Sequence, residues 1–145
     1  MQKITPFLWF DGRAEEAARF YTSIFKQSKM LSVSPMSAIF ELAGQRFFAL
    51  NGGPQFKFTE AISFYVSCET QREIDYFWTK LSAGGQKSRC GWLKDKFGVS
   101  WQVVPPILGE YLNDKDSGKA SRVMEAMMNM EKLDIKKLKA AYARK

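Results

Sequence analysis

The sequence predicts an α+β fold built from two like halves followed by a helical tail. A strand–helix–several-strands order occurs twice, and after Val104 the pattern changes to helical periodicity alone. The helix stripe Ala17, Phe20, Tyr21, Ile24 falls on Ile74, Phe77, Trp78, Leu81 at an offset of about 57 residues, and the turn-and-strand GQRFFAL falls on GVSWQVV at about 54. Identity is low, so the repeat is one of pattern. Each half is too small to bury a helix and a sheet well by itself, so the halves are expected to share a core.

The elements follow in order. ITPFLWF (4–10) is aromatic and branched, as a strand should be, and Asp11-Gly12 breaks it. AEEAARFYTSIF then places Ala17, Phe20, Tyr21, Ile24 and Phe25 on one helical face, with Glu15 and Glu16 in the first turn. Three strands are expected at MLSVS, SAIFELA and RFFALN, with a tight turn at AGQ (43–45) and a stop at NGGP (51–54). The second half opens with the strand AISFYVSC (61–68). Thr70 can cap the helix over QREIDYFWTKL, whose buried stripe is Ile74, Phe77, Trp78 and Leu81. Ala83-Gly84-Gly85 stops that helix, and strands follow at CGWLKD and VSWQVV. Pro105-Pro106 ends the sheet. ILGEYLN suits a short helix, Ser117 can cap a helix over 118–130 with Val123, Met127 and Met130 inward, and Asp134 can cap a last one. The methionine stripe suits flexible packing, with a binding surface as its other use.

With 145 residues, 46% hydrophobic and 14% aromatic, the chain suits one domain: module one at 1–54, module two at 59–105, and helices over 106–145. No apolar run approaches the length of a membrane span, and MQKITPFLWF lacks the apolar core and cleavage site of a secretory signal. Cys68 and Cys90 do not form a CxxC pair, so reduced thiols and a cytoplasmic location are expected. The net charge of +7 is spread thinly along the chain and no nucleic-acid-reading motif accompanies it, so neither nucleic acid nor membrane is expected as a partner.

ITPFLWFDGRAEEAARFYTSIF, FELAGQRFFALNGGP, FYVSCETQREID and CGWLKDKFGVSWQVVP together resemble the PhnB-like branch of the vicinal oxygen chelate superfamily. The likeness extends into the tail KASRVMEAMMNMEKLDI. That superfamily also holds glyoxalase I, ring-cleaving dioxygenases and bleomycin-resistance proteins, and members of this branch often carry the name 3-demethylubiquinone-9 3-methyltransferase. The resemblance implies paired βαβββ modules forming a cupped mixed sheet around a pocket, usually in a homodimer.

The resemblance also locates where metal-dependent relatives place His, Gln or Glu ligands. Carried onto this chain, those positions are Thr5 or Pro6, Phe48 or Ala49, Ile62 or Ser63, and Gln102. Only Gln102 could ligate, through its amide oxygen, and the chain has no histidine. A catalytic divalent ion needs about three protein ligands, so no metal is expected. S-adenosylmethionine usually sits on a glycine-rich strand-to-helix turn of a doubly wound sheet. Here the glycines stand in hairpins and at a helix end, so no cofactor is expected and the methyltransferase name reads as kinship.

Strand parity sorts the remaining candidates. Val99, Trp101, Val103, Leu93, Phe64, Val66 and Cys68 go beneath the helices. Ser100, Gln102 and Val104, Cys90, Trp92 and Lys94, and Ser63, Tyr65 and Ser67 face the other way, as do Phe7 and Trp9. The expected ligand site is therefore Phe7, Trp9, Ser63, Tyr65, Cys90, Trp92, Lys94, Ser100 and Gln102. It suits an aromatic or partly apolar small molecule held without metal. No catalytic residue is assigned. Cys90 lacks a histidine to activate it, Tyr65 lacks a nearby base, and Lys94-Asp95-Lys96 reads as an exposed hairpin tip, with Lys94 able to pair with an anionic ligand. The other readings are an enzyme of the same fold and a protein-interaction module using the C-terminal helices.

Overall fold

A computed structural model describes residues 2–144 and divides into two compact units, Met1–Phe58 and Thr59–Lys145. Each unit runs strand, helix, three strands. In the first unit these are β1 (Phe7–Phe10), α1 (Ala14–Ile24), β2 (Lys29–Val33), β3 (Ser37–Leu42) and β4 (Gln45–Asn51). The sheet order is β1-β4-β3-β2, with β1 parallel to β4 and the other pairs antiparallel. A parallel pair cannot be joined by a tight turn, so the helix is part of the crossover between its strands. α1 covers one face of this sheet, where Leu8, Phe10, Phe40, Leu42, Phe47 and Ala49 are buried. Phe40 and Phe47 stack there at 5.3 Å. Arg13 gives α1 no side-chain cap, and instead the Ala14 N–H donates to Asn51 Oδ1 at 2.8 Å.

In the second unit β5 (Phe64–Ser67), α2 (Gln71–Ser82), β6 (Gln86–Lys87), β7 (Trp92–Lys94) and β8 (Ser100–Val104) repeat that plan in the order β5-β8-β7-β6, again with the outer β5 parallel to β8. Thr70 caps α2 by accepting from the Glu73 N–H at 3.2 Å. Ile74, Trp78 and Leu81 are buried from the helix side, and Leu93, Val99, Trp101 and Val103 from the sheet side. The predicted parity of β7 and β8 is thus observed.

Three helices complete this unit: α3 (Pro106–Leu112), α4 (Ser117–Met128) and α5 (Ile135–Ala143). Their core joins Leu108, Val123, Leu133, Leu138 and Ala141 to Val104. The segment between α4 and α5 crosses the start of β7. There the Cys90 and Gly91 N–H groups donate to Met130 O and Glu131 O, both at 2.8 Å. Gly91 has φ +83, and a Cβ on it would stand 2.8 Å from Val103 O, so the crossing needs glycine.

Several expectations change. The first strand begins at Phe7, and Ile4 before it is 84% exposed. Phe20 and Phe25 are only half-buried, while Ala14 and Ala18 fill the α1 interface. The two-residue strand β6 has too little sequence to show a period. Asp116, not Ser117, caps α4, accepting from the Gly118 and Lys119 N–H groups. Val104 shares the parity of Gln102 but is buried, because the C-terminal helices cover that end of the sheet.

Candidate functional site

β8 runs through the middle of the second sheet, and its registers assemble a row of three predicted residues. Tyr65 on β5 stands beside Gln102, and Gln102 stands beside Trp92 on β7. Strand neighbours lie about 4.8 Å apart, so the three side chains rise side by side on the face away from α2. Tyr65 is 56% exposed, whereas Gln102 and Trp92 are half-buried. Gln102 Nε2 donates to Ser63 Oγ at 3.0 Å. That bond orients the amide and leaves its oxygen as an acceptor. Loss of solvation around the Tyr65 phenol, followed by the nearby Cys68, raises its pKa, so the hydroxyl stays a donor at neutral pH.

Two residues along β8 the register pairs Lys94 with Ser100. Lys94 Nζ meets Glu60 Oε1 at 2.9 Å, and this hydrogen-bonded cation holds the Glu60 carboxyl below the usual carboxylate range. Ser100 is 1% exposed and its Oγ has no hydrogen-bond partner among the described residues. A hollow of about 440 Å³ opens here, and Glu60, Lys87, Arg89, Cys90, Trp92, Lys94 and Ser100 line it. Cys90 holds φ +60 at the mouth of the strap crossing, with its Sγ 3.7 Å from Met128 Sδ. Cys68, by contrast, is fully buried, and burial pushes its thiol up to about 12.

Phe7 and Trp9 belong to the first unit. The row matching Tyr65–Gln102–Trp92 is Phe7–Phe48–Ile39, so an aromatic ring stands where the second unit has its amide. Phe7 is 60% exposed and meets Phe48 edge-on at 6.1 Å. Trp9 is committed locally: Nε1 donates to Gly53 O at 2.9 Å, Phe56 packs on the ring at 5.0 Å, and Gly52 lies so close that a Cβ would be 2.3 Å from it. Seven of the nine predicted site residues thus lie in the second unit, four of them around the hollow and three toward β5.

The sequence reading missed Asp95. It is 3% exposed and far from a solvated tip. Its Oδ1 accepts from the Phe97 N–H at 2.8 Å and the Val99 N–H at 3.0 Å, and Oδ2 accepts from Trp101 Nε1 at 2.9 Å. This carboxyl sets the β7–β8 turn and, through Trp101, the register that aligns Gln102 with Trp92. The signal was available: a tryptophan buried by parity needs a partner for its N–H, and the aspartate stands six residues before it.

Among the described residues, no three or more His, Cys, Asp or Glu side chains are gathered as a metal cage. The positions carried over by resemblance supply one amide, already bonded to Ser63, and the hydroxyls of Thr5 and Ser63. That donor set does not fit a divalent ion. No helix among the described residues is long and apolar enough to cross a membrane.

The family model described as 3-demethylubiquinone-9 3-methyltransferase matches residues 2–104, ending at the last residue of β8 and leaving the C-terminal helices outside. The PhnB protein of Bacillus cereus, which carries the same methyltransferase name, is 42% identical, with 72% of this chain and 99% of that one covered at a TM-score of 0.68. A glyoxalase-related enzyme from Fulvimarina pelagi shares the fold at 15% identity, TM-score 0.53, covering 74% of this chain and 91% of that one. So does the fosfomycin resistance protein FosX from Listeria monocytogenes, solved with Mn(II) and sulfate, at 16% identity and TM-score 0.55, covering 77% of this chain and 97% of that one. No curated protein matches the chain.

Proposed function

The chain belongs to the 3-demethylubiquinone-9 3-methyltransferase-named family, the PhnB-like branch of the vicinal oxygen chelate superfamily, and on that premise we propose that it binds a small aromatic or partly apolar molecule without a metal ion. The observation that supports this reading is the row Tyr65–Gln102–Trp92 on the open face of the second sheet. Two aromatic side chains flank an amide whose orientation Ser63 fixes. Ring stacking contributes about 0.5–1.5 kcal/mol per good pair, and the amide selects a ligand that offers a donor to its oxygen. The resemblance puts Gln102 where metal-using members of the superfamily would place a ligand; here we read the amide, bonded to Ser63, as a hydrogen-bonding contact.

The test is a thermal-shift and calorimetric screen of quinones, aromatic antibiotics and S-adenosylmethionine, run with EDTA and separately with Mn²⁺, Zn²⁺ and Ni²⁺. The expected result is stabilisation by an aromatic compound that EDTA leaves unchanged. Gln102→Ala and Trp92→Ala should each weaken it about tenfold. A stoichiometric divalent ion in the purified protein, whose removal abolishes binding, would overturn the metal-free reading. Stabilisation by S-adenosylmethionine alone would return the family's methyltransferase name to the front.

A further inference from the structure

We propose that the hollow at the β6–β7 end of the second sheet is an oxyanion subsite, so that the ligand is an aromatic compound carrying a carboxylate or phosphate group. This inference deepens the reading above and rests on it.

Three features of the hollow point the same way. First, Ser100 Oγ is buried in its wall with no hydrogen-bond partner among the described residues. An unmet buried hydroxyl is costly, and a ligand oxygen arriving in the hollow would accept from it. Second, the lining sets the cations Lys87, Arg89 and Lys94 against the single carboxylate of Glu60. Lys94 lies opposite Ser100 in the β7–β8 register, which places a charge and a hydroxyl donor on adjacent strands. Third, Glu60 already occupies Lys94: a carboxylate oxygen stands 2.9 Å from the ammonium, on a residue whose side chain is 63% exposed. The free protein thus shows a carboxylate received at the rim, held by a mobile-length side chain from the segment before β5. A ligand anion would displace Glu60 from Lys94 and reach further in, to the hydroxyl that Glu60 leaves unmet.

Trp92 lines the same hollow and also ends the aromatic row, which joins the two subsites. A volume of about 440 Å³ holds a small molecule rather than a bare ion. The ligand's ring would lie along Trp92 toward Gln102 and its acid group would turn toward Lys94 and Ser100.

The experiment titrates the full chain calorimetrically with 1-naphthoate, 1-naphthyl phosphate, neutral 1-naphthamide and inorganic phosphate. At least one naphthyl acid should bind about tenfold or more tightly than the amide, since hydrogen bonds to charged groups are the stronger ones. Lys94→Met should remove that preference, and Glu60→Gln, which frees Lys94, should raise acid affinity severalfold. Ser100→Ala should weaken the acid while leaving the protein as stable as before or more so, a pairing of effects that a merely structural hydroxyl would not give. Acid and amide binding equally well, or a Glu60→Gln variant that weakens the acid, would overturn the oxyanion subsite and leave the aromatic site standing. Inorganic phosphate bound through Lys94 with no naphthyl compound bound would support the subsite and overturn the aromatic reading. No binding of any of the four overturns both.

Discussion

Replacing Asp95 by Asn is expected to destabilise the protein by about 2–4 kcal/mol. In the native turn Oδ1 takes two backbone N–H groups and Oδ2 takes Trp101 Nε1, all within 3.0 Å. An asparagine oxygen can keep the two backbone bonds, but its amino group then faces the indole N–H, donor against donor. The opposite flip sets the amino group against the two backbone donors instead. Losing the indole bond removes about 1 kcal/mol, and leaving that buried N–H unmet costs about 1–3 more. Urea melts at neutral pH, analysed as a double-mutant cycle with Trp101→Phe, separate this from general damage to the turn. Phenylalanine carries no N–H, so in that background Asp95→Asn should cost less than about 1 kcal/mol, giving a coupling of about 2 kcal/mol. A coupling near zero, or an Asp95→Asn variant within about 0.5 kcal/mol of the parent, would refute the role given to this carboxyl.

The Cys68 thiol titrates near 9 when unperturbed and is pushed up to about 12 by burial, with Glu73 adding to the effect. The unfolded chain therefore loses this proton first as pH rises. The group's contribution is whole below pH 9 and is lost as pH climbs toward 12, at up to about 1.4 kcal/mol per pH unit. Cys68→Ala should flatten the fall in urea stability between pH 9 and 11, and identical slopes would count against it. Gln71 ties α2 to the C-terminal segment, with Nε2 donating to Leu133 O at 3.0 Å and Oε1 accepting from the Ile135 N–H at 2.8 Å. Gln71→Ala should cost about 1–3 kcal/mol and speed amide exchange in α5, while exchange in the first unit, β1 to β4, stays unchanged.

Strand parity is legible in VSWQVV because bulky apolar residues alternate with Ser100 and Gln102, and the helix stripes are legible because α1 and α2 each bury one face. Parity reports which side of a sheet a residue faces, but not what covers that side. Val104 shows the difference. It faces with Gln102, yet Leu108 of α3, Val123 of α4 and Leu133 of the segment between α4 and α5 close over it, all outside the residues that the family model matches. Asp95 shows the complementary case: a hydrophilic run reads as solvated until the indole that needs it is placed by folding. The Gln102–Ser63 bond likewise depends on a parallel register between strands far apart in sequence, which local pattern does not encode.

These points also bear on where the proposed ligand would lie. Along β8 the open face is shut at Val104 by the C-terminal core, and the strap at Met130 and Glu131 pins the start of β7 beside Cys90. At the other end Ser100 is buried but unmet, with cations around it. Gln102 stands between a closed end and an open, charged one. Under the proposed reading, a molecule bound to its amide would extend toward Trp92, Lys94 and Ser100. On that reading the amide that looks misplaced within an apolar strand would mark the middle of the binding surface, and the groups that select the ligand would stand two register positions away, at Lys94 and Ser100.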